Sequence, residues 1–306
     1  NLNPQNINIY GNGGKLLSPK NSDFRPDDLI KNAIYIEGEA DGQFNNNDYI
    51  IFYGMGPDSW ELKYNSTIQK NRWFPSKHFY SDSAYYYIKT DDSDPLRMLT
   101  DETITNPETH VCQNFQDFAF VENELVNIGK AGREFYGEAF LGSSSVAAQY
   151  NFNFPNVNGE AILEYGAVGN SVGNSSQLNW SVNGNSGSST ISPVGTSSTD
   201  LYASATGGIK LFNPTSNNLN VVFQFIPGNA EANAWMDFVA LNVTRELKMS
   251  GNQMRLRDTT GILPNAIALY QLLNTTGLTK ILDVSNPYLP QFTASSFNSG
   301  VTSWKS

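Results

Sequence analysis

A chain of 306 residues with 29 acidic against 19 basic side chains has a formal net charge of −10 at pH 7 and a pI near 4.7, and without a Lys/Arg run it offers nucleic acid no basic face. No apolar stretch approaches the roughly 20 residues that a membrane-spanning helix requires. Charged residues make up 16% and aromatic ones 12%, which excludes a charge-driven disordered chain and supplies material for a core.

The single cysteine, Cys112, excludes an internal disulfide, and two histidines, His78 and His110, are too few for a multi-His or Cys/His metal cluster. The first residue is Asn1 and no signal peptide follows it, so the chain is expected to be a processed or trimmed piece. Asn occurs 37 times, with many Ser, Thr and Gly; such side chains satisfy turns without charge.

In chain order the pattern is β. Residues 33–38 (AIYIEG) and 49–54 (YIIFYG) predict two strands, the second too apolar on both faces for an exposed edge. Residues 39–48 between them form a turn with Asp-Gly and an Asn run. Residues 84–89 (AYYYIK) predict an aromatic strand. Residues 114–124 break the pattern and lean to strand. From 149 onward period-two alternation is clear at 149–154, 160–165, 178–184 (ending in Asn183-Gly184), 220–226 and 234–243. The Ser/Gly-rich stretch 184–199 predicts an exposed loop. Residues 262–273 are the nearest approach to a helix, interrupted by Pro264. The chain is therefore expected to be all-β, with two antiparallel units: an N-terminal β domain over 1–112 and a β-sandwich or jelly roll over 113–306.

Four groups of residues invite a chemical reading. Asp41, Asn45 and Asp48, with Gln43 and Asn47 between them, place oxygens at alternating positions that could supply part of a Ca²⁺ shell. The plainer and preferred reading is a turn in which Asp and Asn bond their own backbone. Cys112 lies two residues after His110, so a strand would put both on one face. No oxyanion loop is near, and a structural cysteine is preferred over a Cys/His nucleophile. Glu134 and Glu138 could be an acid/base pair of the kind a glycosidase uses. The plainer reading pairs Arg133 with them while Phe135, Tyr136 and Phe140 pack. Trp60, Trp73, Trp180 and Trp235 could stack on sugar rings, although Trp180 and Trp235 sit in alternating strands and are expected in the core. The sequons at Asn65, Asn174, Asn179, Asn242 and Asn274 matter only on a eukaryotic secretory route.

Several stretches, taken in order, resemble one family. They are 33–44 (AIYIEGEADGQF) leading to 48–54 (DYIIFYG) and Trp60; Tyr80-Ser81-Asp82; Gly132-Arg133 with Tyr136-Gly137-Glu138; Ala234-Trp235-Met236-Asp237; Thr244-Arg245-Glu246-Leu247; and Asp283-Val284-Ser285-Asn286-Pro287. Over roughly residues 25–290 the chain is similar to the region that precedes the gingipain-like cysteine peptidase domain in the PorU-like type IX secretion sortases of Bacteroidetes. The resemblance implies a cell-surface protein associated with the outer membrane. It implies a peptidase domain of the same chain beginning after residue 306, and as partners that domain, surface subunits of the secretion machinery and secreted cargo. No position here matches the family's catalytic motif, so the chain itself is expected to be non-catalytic and without a cofactor, Ca²⁺ aside. A carbohydrate-binding sandwich is the alternative.

Overall fold

A computed structural model describes residues 2–130, 132, 134–142, 147–259, 265–278 and 280–306. Strands hold 46% of the chain and helical turns 2%, so the fold is all-β, and its sheets are built of antiparallel pairs. The chain divides into two compact units. One comprises Asn1–Glu61, Pro75–Val111 and Pro264–Ser306; the other comprises Leu62–Phe74 and Cys112–Leu263. The C-terminal forty or so residues thus belong with the N-terminal ones rather than with the sandwich.

The second unit is a two-sheet sandwich. One sheet runs Ala147–Asn153, Asn218–Ile226, Ser176–Val182, Asn185–Ile191. The other runs Ala139–Leu141, Asn233–Glu246, Val157–Asn170, Ser204–Phe212, with Asn114–Val121 also paired to Asn233–Glu246. Alternation does the sorting. In Ala147–Asn153 every second residue is buried, and Leu219, Val221, Phe223 and Phe225 do the same on the neighbouring strand. These side chains meet Leu163, Tyr165, Val239 and Leu241 from the other sheet in one core. Trp180 joins this core as its alternating strand predicts, whereas Trp235 is equally buried but stands between the core residues Ala234 and Met236, on the other face of its strand.

The two long strands of the second sheet are buried on both faces, unlike a simple half-exposed sandwich strand. Residues 62–74 are the reason. They form the tip of a hairpin made by Ser59–Asn65 and Lys70–Ser76, and this arm lies on the outer face of the sheet. Phe74 meets Phe238 edge-on at 5.9 Å, and Trp73 packs on Phe118 at 5.6 Å. The buried Asn242 acts as a false strand neighbour: its amide nitrogen donates to the Trp73 carbonyl at 3.0 Å, and its amide oxygen accepts the Trp73 N–H at 2.6 Å. Arg72 donates to both oxygens of Glu164, at 2.7 and 2.9 Å, and to the Lys63 carbonyl at 3.1 Å.

The first unit is built from short strands. Asn8–Tyr10 lies between Lys31–Asn32 and Tyr87–Lys89, and Ile34–Ile36 pairs with Ile50–Phe52. Its small core is Ile7, Ile9, Ile34 and Ile36, with Ile50 and Tyr86 against it. Arg97 knits the unit by donating to Glu39 and to the carbonyls of Pro4, Ile7 and Leu96. From the C-terminal segment, the amide of Phe292 donates to Leu99 and its carbonyl accepts from Asp101, while the Tyr288 carbonyl accepts from Ala33.

Three local expectations change. The stretch 184–199 is not all loop, because Asn185–Ile191 is a paired edge strand. Asn183 and Gly184 have φ of 45° and 82°, the left-handed pair that a two-residue hairpin turn demands. Ile50–Phe52 sits in a two-stranded pair with Phe52 exposed, so it is an edge despite its apolar character. Of the helix candidate 262–273, residues 262–264 lie outside the described residues, and Ala268–Leu273 is a strand paired with Val301–Lys305. The stretch 114–124 does form a strand over Asn114–Val121.

Candidate functional site

The oxygen-rich turn closes on itself. Asp41 Oδ1 accepts the Gln43 N–H at 2.8 Å, and Asp41 Oδ2 accepts from the Asn45 amide at 2.9 Å. Asp48 Oδ2 accepts the Asn45 N–H at 2.7 Å. Gly38, at φ 83°, leaves the space its missing Cβ would need to the Asp48 carboxylate. The three residues singled out for Ca²⁺ therefore do share one loop. Their carboxylates are bonded to that loop's own amides, the arrangement that shapes Asx turns.

Glu134 and Glu138 take different hydrogen-bond partners. Glu138 accepts from the Asn123 amide at 2.7 Å and from the Tyr150 hydroxyl. Burial, then that bond to Glu138, pushes the Tyr150 hydroxyl well above the usual phenol range. Glu134 is exposed and accepts from Tyr136 at 3.4 Å. Half-buried Asp237 has its carboxyl pushed up by burial and, secondarily, by the charge of Glu134. Sequence inspection missed Asp237 as a perturbed acid, since its strand neighbours promise only a core. Arg133 and its expected pairing lie outside the described residues.

Cys112 is 5% exposed and lies on the strand His110–Cys112. His110 stands two residues earlier, so the two side chains share a face of this strand, with ligating atoms within 4.8 Å of each other. The His110 Nδ1 lies 3.2 Å from the Thr109 hydroxyl. What the sequence did not suggest is Asp258. The Cys112 thiol donates to Asp258 Oδ2 at 2.9 Å across 146 positions of chain. A carboxylate beside a buried thiol opposes ionisation, the reverse of the cationic setting that activates a nucleophilic cysteine.

Several residues that carry the family resemblance make structural contacts. Gly137 donates to the Met236 carbonyl at 2.7 Å, and Met236 donates back to the Glu138 carbonyl at 3.0 Å. These bonds tie Tyr136-Gly137-Glu138 to Trp235-Met236-Asp237. Arg245 is 5% exposed, donates to the Pro155 carbonyl at 2.6 Å and to Ser250 at 2.9 Å, and pairs with Asp117. Asp283 accepts the Ser285 N–H at 2.7 Å. These contacts hold the fold together.

No family model matches the chain, and no curated protein matches it. Among solved structures it is similar to the crystal structure of dimeric latent PorU from Porphyromonas gingivalis. The TM-score is 0.78 at 18% identity, over 99% of this chain and 28% of that one. The likeness shows a shared fold, and the chain spans little more than a quarter of that protein's length.

Proposed function

We propose that this chain is the non-catalytic N-terminal region of a PorU-like secretion peptidase at the cell surface. Its role is to dock on the peptidase domain, and through it to help position cargo or contact surface subunits. One observation carries the reading: the fold likeness to PorU runs along nearly the whole chain while taking up only a part of the longer protein. The ordered stretches that resemble the sortase family agree with it. Two features support a non-catalytic role: the thiol of Cys112 faces a carboxylate, and Glu138 is tied up by Asn123 and Tyr150.

The test supplies the peptidase domain of the parent protein as a separate chain. Docking predicts capture in a pull-down and a raised melting temperature of the mixture. Absence of both sinks the proposal. The purified 306-residue chain should also leave peptide and glycoside substrates intact, and turnover of either would overturn the non-catalytic reading.

A further inference from the structure

The sandwich sheet Ala147–Asn153, Asn218–Ile226, Ser176–Val182, Asn185–Ile191 has an outer face without charge. None of its four strands contains Asp, Glu, Lys, Arg or His. They come from three charge-free stretches, 139–159, 165–199 and 211–230, in a chain of which 16% is charged. The topology gathers these distant stretches into one sheet. Alternation turns every second side chain outward. Apart from Ala147, Val222 and Ile226, the outward residues are Asn, Gln, Ser and Thr. Register sets them in rows: Ala147, Gln224, Asn179 and Ser188 stand side by side across all four strands, and Asn151 stands opposite Asn220. At the margins Asn153 donates to Asn218 at 2.7 Å and Gln177 to Thr190 at 3.1 Å. The central amides of Asn151, Asn179, Asn220 and Gln224 bond to no other group among the described residues, and three of the four, Asn151, Asn220 and Gln224, are exposed.

We propose that this face binds a neutral polysaccharide laid across the amide rows. A face that meets only water loses nothing by carrying Lys or Glu, and interspersed charge aids solubility. A charge covered by an uncharged partner, by contrast, gives up its hydration with nothing to replace it. Leaving charge out of three separate stretches therefore suits a partner that is itself uncharged. Amides and hydroxyls both donate and accept, as sugar hydroxyls do, so each outward residue can meet a polyol in either sense. A protein partner is fitted by aromatic or Arg anchors, and the outward positions hold neither. An anionic polymer would find no cation on these strands. Trp180 is not the platform, since it points inward to the core beneath this face. The face is about 15 Å across its four strands and about 20 Å along them, room for several sugar rings. This contact is independent of docking on a peptidase domain.

The test is native electrophoresis of the 306-residue chain in gels containing dextran, mannan or hydroxyethylcellulose, with alginate as the anionic comparison. At least one neutral polymer should retard the chain, relative to a gel without polymer, and alginate should not. Asn220→Ala combined with Gln224→Ala removes two central amides from one strand, and Asn151→Ala combined with Asn179→Ala removes two from its neighbours. Each double variant should need about tenfold more polymer for the same retardation, the worth of two lost hydrogen bonds. These amides have no described protein partner, so melting temperatures should stay at the wild-type value and show that both variants fold. Ser296→Ala, on an exposed strand of the other unit, should migrate as wild type. Weakened retardation in either folded double variant supports the site. Retardation by none of the neutral polymers overturns it, as does equal retardation by alginate or wild-type behaviour of both double variants.

Discussion

Arg72 is 9% exposed and its fork faces both oxygens of Glu164, itself only 14% exposed. Removing the guanidinium strands a half-desolvated carboxylate, which costs more than the pair contributes. Arg72→Ala should lose about 3 kcal/mol in urea unfolding, whereas the exposed pair Lys70–Glu160 should yield less than about 1 kcal/mol on Lys70→Ala. Asn242 makes a second test, because its amide satisfies both backbone groups of Trp73. Asn242→Ala should cost about 2 kcal/mol. Asn242 also begins a sequon, yet it is 5% exposed and its amide nitrogen is engaged, so in the folded chain it is no acceptor. Asp237 gives a pH test. Its folded pKa is raised by burial and then by Glu134, so ionising it costs more folded than unfolded. Stability is reduced above the ordinary carboxylate range and recovers as pH falls through the raised value. Asp237→Asn should therefore be more stable than wild type at pH 7, with the advantage shrinking on acidification in parallel thermal melts. None of these structural roles is legible in the sequence. An Arg in a strand or an Asp among apolar neighbours acquires meaning only from a partner some ninety or more positions away, as with Arg72 and Glu164.

At the level of elements, the hairpin Ser176–Val182 to Asn185–Ile191 shows where pattern reading works and where it stops. The first strand alternates and ends in Asn-Gly, both legible. The second reads as loop because Ser and Gly have low strand preference. It forms because Trp180 lies directly across from Gly187, and the indole covers the glycine: a Cβ there would sit 2.8 Å from the Trp180 ring. This is aromatic cover of a glycine near a sheet edge, and only the paired register makes it visible. Gly187→Val should displace the indole, cost about 1–3 kcal/mol and shift the tryptophan emission toward the red. The arm at 62–74 is the other element beyond local pattern. It explains why Asn233–Glu246 is buried on both faces, where the sequence suggests an ordinary alternating strand.

For the whole molecule, the division into units makes a prediction of its own. Residues 264–306 supply strands and backbone partners to the first unit: Ala33 donates to Tyr288, and Phe292 donates to Leu99. Truncation after residue 263 should therefore strip hydrogen-exchange protection from Ile34–Ile36 and Met98. Sandwich strands such as Leu219–Phe225 should keep theirs. Equal loss of protection in both units would contradict the division. The class of the fold was readable from the chain itself. Alternation, Asn-Gly turns and aromatic strands are local properties, and they suffice for an all-β chain, for a sandwich over the second half and for Trp180 in its core. The tertiary structure alone decided which distant segments meet: the arm on the sheet, the C-terminal strands with the N-terminal ones, Asp258 at the thiol of Cys112. The physical reason is that hydrophobic period is written in neighbouring residues, whereas pairing across a hundred positions depends on packing that no single stretch records.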